Sequence, residues 1–288
     1  MIKIYDRANK KYIDEEQFGQ SALNFLYNNA LGRIILKIAV NPVISKLIGA
    51  YKKSRISKRG IKSLIKDYDI DMSLYEEKEY KSFNDFFTRK IKLDKRPMLD
   101  NDNYFISPAD SKVIAYDISK TNTFNIKGTE YTLNELVKDN IDLSDFQNGL
   151  CLVFRLSLDN YHHYCYPDTG KLETTIKIKG KLHTVSSISK DFKIFKENKR
   201  VVSVLNTDNF DDVIYIEVGA LSVGEIVNND SSEFTKGEEK GYFSLGGSTI
   251  ILLVKDNVIK LDEDILSNSE KGIETKVNYR EKIGEKIC

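Results

Sequence analysis

Residues 238–254 read EEKGYFSLGGSTIILLV. The apolar run 250–254 is short and follows turn residues, which predicts a strand rather than a helix. Gly246-Gly247 predicts a tight turn into it, because Gly takes up unusual backbone angles without steric cost. The same pattern of turn signal and short β-type run begins near residue 104. It predicts strands at 112–116, 123–126, 150–156, 174–178, 201–205, 213–218, 221–226 and 250–254. Only TLNELV, residues 132–137, reads as a helix, with Thr132 as cap and Glu135 three residues on, as in a capping box. With so little alternation of strand and helix the sheet should be mostly antiparallel. From about Ser267 the chain is polar and charged, and partial disorder is expected there.

The first third differs. Leu23, Leu26, Tyr27, Ala30, Leu31, Ile34 and Ile38 recur at steps of three and four, one apolar helical stripe. Asn41-Pro42 predicts a break and a new start, with Pro at the first helical position. Val43, Ile44, Leu47, Ile48 and Tyr51 continue the pattern, and Ile61, Leu64, Ile65 and Tyr68 mark a third helix. From Gln17 to Lys66 there is no Asp or Glu, against ten Lys and Arg. The whole chain has a net charge of +1, so the remainder carries −9 against +10 here. Bases interrupt every window long enough to span a bilayer, which needs about 20 apolar residues. Two readings follow: helices lying on an anionic membrane surface, or a soluble helical layer with a solvated basic face.

At 288 residues and 41% hydrophobic the chain can bury a full core. Its near-zero net charge gives no reason to expect nucleic acid as a partner. Three cysteines without a CxxC argue against a disulfide framework and a cysteine zinc site, and fit a reducing compartment. The N-terminus, MIKIYDRANKKYIDEEQ, has no apolar signal-peptide core.

Three stretches carry residues able to do chemistry. His162 and His163 stand together in NYHHYCYPDTG, residues 160–170. In a strand they would point to opposite faces. No spaced partner completes a metal-ligand set, so no metal is expected. The third histidine is His183. Asp110 in SPADSKV, residues 107–113, sits at a turn entering a strand, where Asp commonly makes local hydrogen bonds. Ser248 begins the strand of the opening stretch.

Taken together, FNDFFTRK (83–90), SPADSKV, IKGTEYTLNELV (126–137), FRLSLDNYHHYCYPDTG (154–170), NKRVVSVLNT (198–207), IEVGALSVGEI (216–226) and KGEEKGYFSLGGSTIILLV (236–254) resemble the phosphatidylserine decarboxylase family in order and content. The resemblance implies a proenzyme that cuts itself between Gly247 and Ser248. Ser248 would attack the carbonyl before it, and the residue would end as a covalent pyruvoyl cofactor. It further implies Asp110, His162 and Ser248 as the catalytic set. The family pattern is Y-H-x-x-H, and here Cys165 holds the second histidine position; His162 is the expected base, with His163 a second candidate. Ser111 and Asn160 also depart from the pattern.

The expectation is therefore an α+β protein: a basic, helical, membrane-associating region over 1–75 and a mostly antiparallel β-rich decarboxylase domain over 76–288. It would convert phosphatidylserine to phosphatidylethanolamine at the cytoplasmic side of the cell membrane, as a peripheral protein. Its two cleavage products would stay together as a heterodimer, and a homodimer is allowed. The alternatives are a relative acting on a soluble amino acid and a lipid-surface module that has lost processing.

Overall fold

The computed structural model describes residues 2–15, 25–26, 28–39, 42–119, 123–126, 129–138, 141–181, 194–219, 225–229, 231–244 and 248–287. The predicted turn at Gly246-Gly247, His183 and the first half of the strand expected over 221–226 lie outside them.

The run that opened the sequence reading forms the strand Ser248–Val254, and every residue in it is buried. Side chains alternate between faces along a strand, so full burial needs cover on both sides. Ile250 and Leu252 pack with Phe154, Tyr215, Tyr164 and Phe243 in one core. Ile251 and Leu253 pack with Val153, Ile214, Ile216 and Leu136 in another. This explains why the run is continuously apolar rather than alternating.

The strand lies inside a ten-stranded sheet. In spatial order its members are Glu233–Phe234, Gly170–Ile178, Arg200–Thr207, Asp211–Val218, Ser248–Val254, Leu150–Leu156, Ser111–Asp117, Glu274–Val277, Ile2–Asp6 and Lys11–Glu15. All pairings are antiparallel except that of Ile2–Asp6 with Glu274–Val277. A small sheet of Glu225–Asn228, Glu239–Ser244 and His163–Cys165 carries Tyr164 and Phe243 into the first core. Gly241 lets two of its strands touch: a Cβ there would lie 2.1 Å from the Val227 carbonyl oxygen. The helix Leu133–Val137 has the expected capping box between Thr132 and Glu135.

Two expectations are corrected. The tail after Ser267 is ordered, with strands Glu274–Val277 and Lys282–Lys286, because its polar residues are paired rather than solvated. Residues 2–15 are a β-hairpin on the main sheet, not part of the helical region.

Helices occupy Ala30–Ala39, Pro42–Lys53 and Ile61–Asp67. The last of these packs Ile61 and Leu64 against Phe83, Phe86 and Phe87 of the short helix Phe83–Phe87. The first two leave apolar side chains in the open: Leu31 and Ile34 are each 60% exposed, Leu47 63%, and Ile56 just beyond is 65%. Among the described residues no helix is long and apolar enough to cross a membrane.

Candidate active site

Ser248 is the first residue of its strand and pairs with Leu156 at the end of the neighbouring strand. The chain leaving Leu156 turns within a few residues into the histidine segment. Asn160 Oδ1 accepts from the Ser157 amide at 2.9 Å, closing that turn. The His162 carbonyl then accepts from the Phe243 amide at 2.9 Å. The backbone thus joins the histidine segment to the strand that leads, four residues on, to the Gly-Gly-Ser.

The Ser248 hydroxyl is buried and has no hydrogen-bond partner among the described residues. Buried hydroxyls are normally paired; Ser248 shares its orphaned state with Thr249 and Thr275, and differs from them in being the residue expected to react.

His162 is fully buried, its ring 4.0 Å from that of Phe87. Its Nδ1 faces the Asn160 carbonyl oxygen at 2.9 Å. A carbonyl only accepts, so the proton sits on Nδ1 and the lone pair on Nε2. Nε2 has no partner among the described residues. Burial first, and the Arg89 guanidinium second, push the imidazole down to about 3. His162 is therefore neutral at neutral pH but does not keep the ordinary imidazole basicity expected of it.

His163 is held differently. Its ring lies between those of Tyr161, at 4.8 Å, and Tyr242, at 5.0 Å. Nε2 is 3.2 Å from the Thr88 carbonyl and Nδ1 is 3.0 Å from Glu239 Oε2. Both ring faces are covered and Nε2 is engaged, while Nδ1 lies at ion-pair distance from Glu239 without hydrogen-bond geometry.

Asp110 is not bonded to His162. Its carboxylate receives Arg96 Nε at 3.0 Å, Arg96 Nη2 at 2.9 Å and the Tyr279 amide at 2.6 Å. The bidentate pair ties Arg96 to the turn before the strand Ser111–Asp117, and the Tyr279 amide ties that turn to the C-terminal segment. Cys165 is fully buried and its thiol donates to the Ser107 carbonyl oxygen at 3.7 Å. Burial pushes that thiol up to about 12, so it remains protonated at neutral pH. Among the described residues no group of His, Cys, Asp and Glu is arranged to hold a metal ion.

Sequence reading missed Arg89. It is buried, lies 4.3 Å from the Tyr75 ring centre and donates to the Asp159 carbonyl at 2.9 Å. The signal was its place in FNDFFTRK, one of the stretches that carry the family resemblance.

The family profile described as phosphatidylserine decarboxylase matches residues 83–286. The chain belongs to the phosphatidylserine decarboxylase family. It is 49% identical over 286 residues to phosphatidylserine decarboxylase proenzyme 2 of Clostridium acetobutylicum, covering 99% of this chain and 98% of that one. It is 42% identical to a phosphatidylserine decarboxylase proenzyme of Clostridium botulinum strain Langeland, over 99% and 100% of the two chains. The proenzyme of Clostridium tetani is 41% identical, over 100% and 99%. These matches extend through the N-terminal hairpin and helices that the family profile leaves uncovered. Membership makes the chain a decarboxylase, and the word proenzyme in its relatives' names is consistent with a chain that must be cut to become active.

Proposed function

We propose that this chain cuts itself between Gly247 and Ser248 and then decarboxylates phosphatidylserine to phosphatidylethanolamine on a membrane surface. The observation that carries the reading is the buried, unpartnered Ser248 hydroxyl at the start of a central strand. In the first step the Ser248 Oγ–carbonyl bond forms and the peptide C–N bond breaks. The hydroxyl proton ends on the freed nitrogen. His162, neutral with an unpartnered Nε2, supports the role of carrier for that proton. Loss of the ester by β-elimination, tautomerisation and hydrolysis with release of ammonia would leave a pyruvoyl group at 248, and the site fits one, since Ser248 has no bonded partner to displace. Such a group supplies an electrophilic carbonyl that takes up the electron pair left when carbon dioxide departs. Burial of the site excludes water from that step.

Asp110, bound to Arg96 and Tyr279, supports the same chemistry by holding the turn beside the histidine segment. The exposed apolar residues of the first two helices, with Arg55, Arg59 and Lys62 exposed nearby, support docking on an anionic lipid surface.

Mass analysis of the purified chain tests the reading. Segments 1–247 and 248–288 are expected, the second with a blocked N-terminus, together with release of carbon dioxide from phosphatidylserine vesicles. Ser248→Ala should stay intact and inactive. A folded parent chain that stays whole on prolonged incubation would overturn self-processing. A chain that splits but decarboxylates only free amino acids would overturn the lipid substrate.

A further inference from the structure

Glu217 and Lys240 form an ion pair that is sealed from solvent and that the chemistry above does not use. Glu217 lies on the strand Asp211–Val218, and Lys240 on Glu239–Ser244, the segment running up to the cleavage site. One carboxylate oxygen, Oε1, takes the Lys240 ammonium and the Asn228 amide at 3.2 Å. Lys240 also donates to Ser203 Oγ at 3.2 Å and lies 4.9 Å from the Tyr215 ring centre. Asn228 is in turn held by the Tyr164 hydroxyl at 2.6 Å. The other oxygen, Oε2, is buried with no partner among the described residues.

Register places Glu217 beside the reaction centre. Glu217 is directly opposite Ile250, and Ser248 is two residues earlier on the same strand. Residues two apart share a face, so Glu217 and Ser248 are diagonal neighbours on the face of the first core. A diagonal gap of about 7–8 Å between backbones is within reach of a long side chain. Thr249, by contrast, points to the other face, opposite Arg155. Two residues that each carry a buried orphan, one a donor and one an acceptor, are thus diagonal neighbours. They are not bonded to each other here; a side-chain rotation or one buried water closes such a gap.

We infer that Glu217, held by Lys240 and Asn228, is a positioning residue for cleavage: its free oxygen accepts a hydrogen bond from the Ser248 hydroxyl and aims Ser248 Oγ at the carbonyl of residue 247. The inference rests on the self-processing reading. Burial holds the Glu217 carboxyl above its ordinary range, and the Lys240 ammonium offsets part of that rise.

Two double variants test it. Glu217→Leu with Lys240→Met removes both charges and the acceptor; such apolar replacement of a buried ion pair is commonly neutral or stabilising. Glu217→Gln with Lys240→Met removes the charges but keeps an acceptor oxygen. Thermal midpoint and near-ultraviolet circular dichroism report folding, and the fraction of split chain over time reports cleavage. The Leu/Met chain is expected to fold and to split at least about tenfold more slowly than the parent, the scale of one lost charged hydrogen bond. The Gln/Met chain should fall between them, a partial rescue that a purely structural role would not give. Hydroxylamine cuts oxygen esters, so it should not speed splitting of the Leu/Met chain, in which ester formation itself is the slow step. Ile251→Val, on the same strand but the opposite face, should split like the parent.

A folded Leu/Met chain that splits at the parental rate, or that hydroxylamine releases from a stored ester, overturns the inference alone. Should the Leu/Met chain not fold, the Gln/Met chain decides, and a parental rate there overturns it. A parent that never splits overturns the self-processing reading as well.

Discussion

His162 and Cys165 exchange the expectations that their side-chain chemistry would suggest in water. The imidazole is depressed to about 3 and the thiol raised to about 12, both because burial disfavours charge. In the unfolded chain His162 takes up a proton near its ordinary value of about 6.5, while the folded chain refuses it until about 3. The unfolded state therefore binds more protons in that window. The stability tied to neutral His162 is complete above about pH 6.5 and is lost as pH falls toward 3, by up to about 1.4 kcal/mol per pH unit. Urea midpoints between pH 6.5 and 4 should show this slope in a Ser248→Ala background, and His162→Gln should flatten it. An unchanged slope in His162→Gln would mean that the ring protonates while folded. Cys165→Ser should split at the parental rate, since a protonated thiol bonded to a carbonyl is not a base; a folded Cys165→Ser chain that stays whole would return the role to sulfur. That His162 and Ser248 are candidates was legible in the sequence, because residue type and neighbouring motif carry it. The state of each was not, because burial, the Asn160 carbonyl and Arg89 come together only in the fold. The partner of Asp110 was equally hidden: Arg96 is close in sequence, but Tyr279 arrives from 169 residues away.

Among the elements, the strands built on apolar runs were legible, and the short or polar strands and the helices' environment were not. The run Leu150–Leu156 appears as expected, because turn residues and β-branched or apolar runs fix strands locally. The strand Glu274–Val277 was read as tail because it carries Glu274 and Lys276. Glu274 is buried by Arg155, with Nε at 2.9 Å from its Oε2, across 119 residues of sequence that no local pattern spans. The helices Ala30–Ala39 and Pro42–Lys53 show the reverse case. Periodicity predicted an apolar stripe, and Leu31, Ile34 and Leu47 carry it outward, with Ile56 exposed just beyond, while Leu36, off the stripe, turns inward. Stripes of this kind bury themselves against something. Replacing Leu31, Ile34, Leu47 and Ile56 together with Gln should leave the thermal midpoint nearly unchanged, since little buried area is lost. It should reduce sedimentation with phosphatidylserine-containing vesicles by at least about tenfold, given roughly 1.5–3 kcal/mol per large apolar side chain buried. Replacing Arg55, Arg59 and Lys62 with Gln should weaken binding chiefly at low salt, where exposed charges are least screened. Undiminished sedimentation of the first variant would favour the soluble-layer reading.

For the whole molecule, the position of the cut matters more than the cut itself. Residues 248–287 are not an appendage. Ser248–Val254 lies between Leu150–Leu156 and Asp211–Val218, so both neighbours belong to the first segment. Glu274–Val277 lies between Ser111–Asp117 and Ile2–Asp6. Lys282–Lys286 lies between Ile259–Leu261 and Tyr104–Ile106. Arg7 adds ion pairs to Asp262 and Asp264, the second at 2.8 Å. The proposed cut before Ser248 would break one covalent bond and none of these ladders. Withdrawing the second segment would open the ten-stranded sheet in two places and expose both apolar faces of its central strand, a loss far larger than the marginal stability of a folded chain. The two products should therefore behave as one particle. Native size exclusion of split protein is expected to give a single peak containing both segments in equal amounts, and only denaturant should separate them. Segment 1–247 made alone should not reach the native fold, and adding segment 248–288 to it during refolding should restore a native near-ultraviolet spectrum. Release of segment 248–288 in native buffer, with 1–247 still folded, would show that the central strand is held by less than its position in the sheet requires.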